Sequence, residues 1–176
     1  MAVFVNREGN VSMIRVGIAL VGLGALVIIA GFILFQVEQQ RFKSPLSVEL
    51  YPGAQERGMD SETNTTRRLI FYVPDVDPFD VAEHYSAELL EHTGESVNDL
   101  NRERCRRNPA TEGAIFSDYE EGAGVVPYQY SCVFNETGFN AHRFTQVTIQ
   151  PGVRNDATGT DTTGQTVIIY EQRWEP

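Results

Sequence analysis

Twenty consecutive residues, 16–35 (VGIALVGLGALVIIAGFILF), carry no charge and no strongly polar side chain. As a helix rising 1.5 Å per residue they extend about 30 Å, the thickness of a bilayer's hydrocarbon core. The apolar region of a secretory signal is shorter, about 7–15 residues, and leads into a small-x-small cleavage site. Here Gln36, Val37, Glu38, Gln39 and Gln40 follow instead, and no cysteine lies nearby to take a lipoprotein anchor. The run is therefore expected to persist as a transmembrane helix at 16–35. That divides the chain into an N-terminal tail at 1–15, the helix, a short linker at 36–45 and a globular domain at 46–176. The lipid bilayer is the first expected partner.

Orientation rests on weaker signals. Arg7 and Arg15 precede the helix while Arg41 and Lys43 follow it, which is close to a tie under the positive-inside rule. The short tail can stay inside at little cost, and the domain holds two cysteines placed to pair, so the domain is expected on the extracytoplasmic side of the cell membrane, periplasmic or cell-surface. Charge narrows the partners. From Ser44 onward the chain has 22 acidic and 10 basic residues, a net charge of −12. Such a surface repels phosphate backbones, so nucleic acid is not an expected partner. Thirteen of the 14 basic residues are Arg, which reads as GC-rich, bacterial codon usage.

Gly17, Gly24 and Gly31 recur every seven residues. A helix drifts only ~20° per heptad, so the three share one stripe. Small residues on a stripe admit the backbone of a second membrane helix, and other integral membrane subunits are the expected protein partners.

The domain reads as α+β. An alternating strand is expected at 47–51, stopped by Pro52 and Gly53, and a polar loop at 58–66. The run RRLIFYV at 67–73 predicts a strand covered on both faces. A helix follows: Asp77 caps it, Pro78 suits its first turn, Asp80 complements its dipole and Gly94 can close it. Phe79, Val81, Ala82, Tyr85, Leu89 and Leu90 fall on one half of its wheel, with Glu83, His84, Glu88 and Glu91 opposite. Alternation around Tyr130, Cys132 and Phe134, around Thr145, Val147 and Ile149, and over 167–174 predicts three late strands, the last two joined by a long hairpin through 151–164. Residues 114–116 could add a short edge strand. The expected order β-β-α-(β)-β-β-β gives one mainly antiparallel sheet with the helix on a face.

The run Leu50-Tyr51-Pro52-Gly53-Ala54, the strand after it, the helix start Phe79-Asp80-Val81-Ala82-Glu83-His84-Tyr85 and the late strands resemble a class of small bacterial membrane-anchored or lipoprotein-like domains. These place a YPGA turn shortly after the anchor and are mostly of unknown function. The resemblance covers residues 45–170 and departs from the pattern in the arginine- and cysteine-bearing insertion around Cys105. It carries over no functional residue.

Cys105 and Cys132 are the only cysteines, 27 residues apart. A bridge between them would add about 3–4 kcal/mol on the chain-entropy view. With no CxxC or CxxCH motif, zinc ribbons, thioredoxin-like chemistry and covalent c-type haem have no support. Arg102, Arg104, Arg106 and Arg107 surround Cys105 and could dock an acidic partner or lipid phosphates. The competing reading is a solvated loop paired with Glu95, Asp99 and Glu103. His84, Glu88 and His92 share an i, i+4, i+8 spacing that could present metal ligands, although no second ligand cluster accompanies them. Asp75, Asp77 and Asp80 imitate the start of a calcium loop without its glycine and closing glutamate, so capping explains them. Asn64-Thr65-Thr66 and Asn135-Glu136-Thr137 fit the glycosylation sequon, which counts only in a eukaryotic secretory pathway.

No GxSxG elbow, Walker A loop or GxGxxG after a strand occurs, so neither an enzyme nor a bound cofactor or metal is expected. The sequence favours a non-catalytic accessory or structural subunit of a bacterial membrane complex, with respiratory or photosynthetic electron-transfer assemblies as natural hosts. The alternative is an anchored module that binds or senses a ligand through Tyr119, Tyr128 and Trp174.

Overall fold

The long apolar run, the capped amphipathic segment and the late alternating segments each form the element their side chains favour. The structure, a computed structural model, describes residues 13–94, 105–138 and 140–175. Its contacts divide into two units, Met1–Arg41 and Phe42–Pro176.

The first unit contributes α1, Met13–Arg41. Within Val16–Arg41 an 18-residue run has a mean hydropathy of 2.9 and none of it is buried, so this helix is long and apolar enough to span a membrane. α1 continues through residues 36–41, expected as linker, because Gln and Glu are good helix formers and an established helix propagates easily. The linker shrinks further because Phe42 is already buried.

The second unit is an α+β domain. Its strands are β1 (Gln55–Glu62), β2 (Thr66–Pro74), β3 (Arg106–Asn108), β4 (Gln129–Gly138), β5 (Ala141–Pro151), β6 (Arg154–Asn155), β7 (Thr160–Asp161) and β8 (Gln165–Arg173), with helix α2 at Pro78–Thr93. Six of them form an antiparallel sheet in the order β1-β2-β8-β5-β4-β3, while β6 and β7 make a two-stranded ribbon in the β5–β8 connection. Local chemistry fixes α2 at both ends. The Asp77 carboxylate accepts the Phe79 N–H at 2.8 Å, and Gly94 closes the helix in the left-handed region at φ 69°.

Rows of cross-strand neighbours such as Leu69, Tyr170, Val147 and Cys132 point to one face. There they meet Val81, Ala82, Tyr85 and Leu89 of α2, and this is the core. α2 lies over β4 and β5. Residues 46–54 cover the remainder, with Leu46 buried and Val48, Leu50, Tyr51 and Ala54 packed against the core.

Four expectations require correction. Residues 47–51 alternate in burial as expected but form no strand; side chains, not a neighbouring strand, bond the Glu49 carbonyl and the Tyr51 N–H. The polar stretch expected as a loop at 58–66 belongs, as far as Glu62, to edge strand β1, whose register slips twice, once at Gly58. An edge strand is bonded on one side only and needs little apolar content, which hid it from a hydrophobicity reading. β2 is not covered equally on both faces: Leu69, Phe71 and Val73 are buried while Ile70 and Tyr72 are only half-buried. The short edge strand falls at Arg106–Asn108, not at 114–116.

Candidate functional site

Three buried polar side chains of the domain, Arg143, Thr145 and Gln172, converge on the segment that follows α1. Arg143, on β5, is 7% exposed; its Nη1 donates to the Ser44 carbonyl at 3.1 Å and its Nε and Nη2 donate to Glu136 Oε2 at 2.8 and 2.6 Å. The same guanidinium lies over the Phe42 ring, 5.4 Å from its centroid. One residue pair further in, the Leu46 carbonyl accepts from Thr145 Oγ1 at 2.6 Å and from Gln172 Nε2 at 2.9 Å. Deeper still, the Tyr51 N–H donates to the Tyr85 hydroxyl at 2.9 Å, and the Tyr170 hydroxyl donates to the Glu49 carbonyl at 3.0 Å. The two phenol oxygens are 2.6 Å apart. Because the Tyr170 proton is committed to Glu49, Tyr85 must be the donor between them. The result is a directed relay from Tyr51 N–H through Tyr85 and Tyr170 to the Glu49 carbonyl. Burial pushes both phenols above their ordinary range, and for Tyr170 the neighbouring Tyr85 adds to the effect.

This set has the chemistry of a fastening. It bonds the Ser44, Leu46 and Glu49 carbonyls and the Tyr51 N–H, four backbone groups of a segment that forms no strand ladder and that burial would otherwise make costly. Sequence reasoning missed it because the Thr, Gln and Arg involved sit on strands where the alternation assigns only an inward or outward face.

A second feature is a groove of about 670 Å³ between α2 and the start of β3, lined by Phe79, Ala82, Leu90, Cys105 and Tyr130 among others. Phe79 is 52% exposed at its rim and meets Tyr130 edge-on, with centroids 6.4 Å apart. Cys105 borders this groove and is bonded to Cys132, which is 1% exposed on β4. The Cys105 N–H donates to Ser86 Oγ at 3.2 Å, so the bridge and α2 hold the same point of the chain.

The arginines around Cys105 do not act as a set among the described residues. Arg102 and Arg104 lie outside the described residues. Arg106 is exposed at the groove. Arg107 turns back on its own loop: it donates to the carbonyls of Pro109, Thr111 and Ala114 and stacks 4.5 Å over the Tyr128 ring. Arg107 is therefore a loop pin, and Tyr128 is covered by it. Nor do the three aromatic candidates gather: Tyr128 precedes β4, Trp174 follows β8 at the opposite end of the sheet and is 8% exposed, and Tyr119 sits in the 109–128 loop.

His84 packs edge-on between the rings of Tyr51 and Tyr85, while His92 Nε2 lies 2.9 Å from the Asn135 carbonyl. Among the described residues no group of three His, Cys, Asp or Glu side chains could hold a metal ion. Asp77 is occupied as the α2 cap, and Asp75 turns the chain at φ 56° with its N–H bonded to the Gly164 carbonyl. Asn64 and Asn135 of the two sequons are both exposed. On α1, a Cβ built at Gly17, Gly24 or Gly31 would meet nothing within 4 Å, so the stripe is open. Comparison with family models, curated proteins and solved structures finds no match to this chain.

Proposed function

We propose that this chain is a non-catalytic, single-pass membrane protein, an accessory or structural subunit of a larger membrane complex with its domain on the extracytoplasmic side. The observation that carries the reading is the fastening of residues 42–51. Arg143, Thr145, Gln172, Tyr85 and Tyr170 hold the chain that leaves α1, so residues 42–51 belong to the domain and do not form a loose tether. The open glycine stripe of α1 gives a partner helix a surface on which to pack. The disulfide favours the oxidising side of the membrane.

The test is mild detergent purification of the full-length protein beside Gly24→Leu, which fills the stripe. The reading expects a defined set of co-purifying membrane proteins that is depleted at least about tenfold in the variant, the loss expected when close helix packing is blocked. A free monomer from both proteins in every detergent would refute it. Thiol labelling of intact cells tests sidedness: the cysteines should resist a membrane-permeant maleimide until reduced.

The groove beside α2 supports a second reading, an anchored ligand-binding module. Its volume lies within the range of small-molecule sites, and an exposed aromatic ring stands at its rim. Phe79→Ser would then abolish ligand-dependent thermal stabilisation of the protein while sparing its complex-forming behaviour.

A further inference from the structure

We propose that Cys105 is a thiol–disulfide exchange site, at which an external dithiol opens the Cys105–Cys132 bridge while the domain stays folded. The two sulfurs differ in access. Cys132 lies 1% exposed on β4, in the core row that also carries Val147, Tyr170 and Leu69. Cys105 is half-buried and lines the groove of about 670 Å³ beside α2, whereas Cys132 is not among the described residues that line it. An attacking thiolate has to reach one sulfur of a disulfide from outside, and access decides which sulfur it meets. Here that sulfur is the one on Cys105. Ala82, Ala87 and Ala110 are among the residues around it in the groove, and their short side chains leave the approach open.

The step balances with the dithiol as reductant. One of its thiolates attacks Cys105 Sγ, the bond to Cys132 Sγ breaks, and Cys132 leaves and takes up a proton. The second thiol of the reagent then displaces Cys105, which also leaves as a thiol. The bridge gains two electrons and two protons, and the dithiol becomes a disulfide. Cys132 stays in the core as a neutral thiol, where a free cysteine packs as a small apolar side chain.

What the bridge holds is local. β3 has three residues and pairs with β4 alone. Its central residue, Arg107, is bonded to carbonyls of its own loop and stacked on Tyr128. The hydrogen bond from the Cys105 N–H to Ser86 Oγ ties the start of this stretch to α2. Opening the bridge leaves the pairing of β2, β8, β5 and β4 in place and loosens β3, one wall of the groove. The redox state of one bond thereby sets how firmly the groove is walled. The site depends on neither the accessory-subunit reading nor the ligand-binding one.

The experiment uses the full-length protein in phosphatidylcholine nanodiscs, without denaturant. Reduced glutathione, a monothiol, gives the mixed disulfide at early times; after an acid quench, N-ethylmaleimide in denaturant marks the thiol that was released. Mass spectrometry should find glutathione on Cys105 and maleimide on Cys132 in at least about ten molecules for each one with the reverse pattern. The rate of reduction by dithiothreitol should stay flat as urea is raised below the unfolding transition, because the folded domain is the species attacked. Ala87→Trp, which fills the groove from an exposed helix position, should slow that reduction at least about tenfold. The reduced domain should still melt cooperatively, about 10 °C lower. Its amide exchange should rise about tenfold or more at 106–108 and stay unchanged in β5 and β8. Glutathione found on Cys132 overturns the proposal, as does a rate that climbs with urea in step with global unfolding, an Ala87→Trp rate equal to that of the unaltered protein, or loss of the cooperative melt on reduction.

Discussion

Tyr85 and Tyr170 show what a buried hydroxyl pair requires of its protons. The relay through them functions only while both phenols are neutral, since an ionised oxygen could not donate to the Glu49 carbonyl or to its neighbour. Their folded values lie above the ordinary 10.0, so the unfolded chain loses these protons first as pH rises. Stability from this pair is complete below about pH 10 and falls above it. Urea titrations across pH 8 to 11 should show that alkaline decline, and it should be shallower in Tyr85→Phe, which also costs about 1–3 kcal/mol by stranding the Tyr51 N–H. Thr145 gives a smaller, cleaner case. It is fully buried with its hydroxyl 2.6 Å from the Leu46 carbonyl, and Val preserves its shape. Thr145→Val should lower unfolding free energy by about 1 kcal/mol, because Gln172 still serves that carbonyl. Arg143→Ala should cost about 3 kcal/mol, since it removes two guanidinium bonds to Glu136, whose side chain is 18% exposed, and the bond to the Ser44 carbonyl.

Elements differ in how far their own residues announce them. α2 was legible to its ends because its cap, its proline, its acidic first turn and its closing glycine act locally. The late strands were legible because one face of each is sealed against the core. The segment at 47–51 was half legible: alternation correctly separated half-buried Val48 and Leu50 from exposed Ser47 and Glu49, but alternation does not say whether a backbone bonds to a strand or to side chains. β1 was illegible because nothing in QERGMDSE is selected by a core. The candidate site was less legible still, since the fastening depends on contacts between segments far apart in sequence. Two tests belong to this scale. Gly152 sits at the base of the β5–β8 connection, where a Cβ would collide with the Thr162 carbonyl, so Gly152→Ala should cost about 2–3 kcal/mol by calorimetry. Replacing both cysteines with Ala should cost about 3 kcal/mol through the 27-residue separation they close.

The whole molecule joins an apolar rod with no buried surface to a domain whose charge is strongly negative. Arg41 ends α1, and Phe42, 3% exposed, is already a buried residue of the second unit. Residues 42–51 therefore act as part of the fold. A chain beginning at Phe42 should melt as one cooperative unit, whereas one beginning at Pro52 should lose cooperativity and bind the dye ANS, having lost the Leu46 plug and its hydrogen-bond partners. A protease that sheds the head intact has only the polar end of the rod, residues 36–41, in which to cut. A nick a few residues later discards the plug with the stump, and the fragment that escapes unravels. For a chain anchored through α1, leaving the membrane and staying folded would compete for the same short stretch of chain.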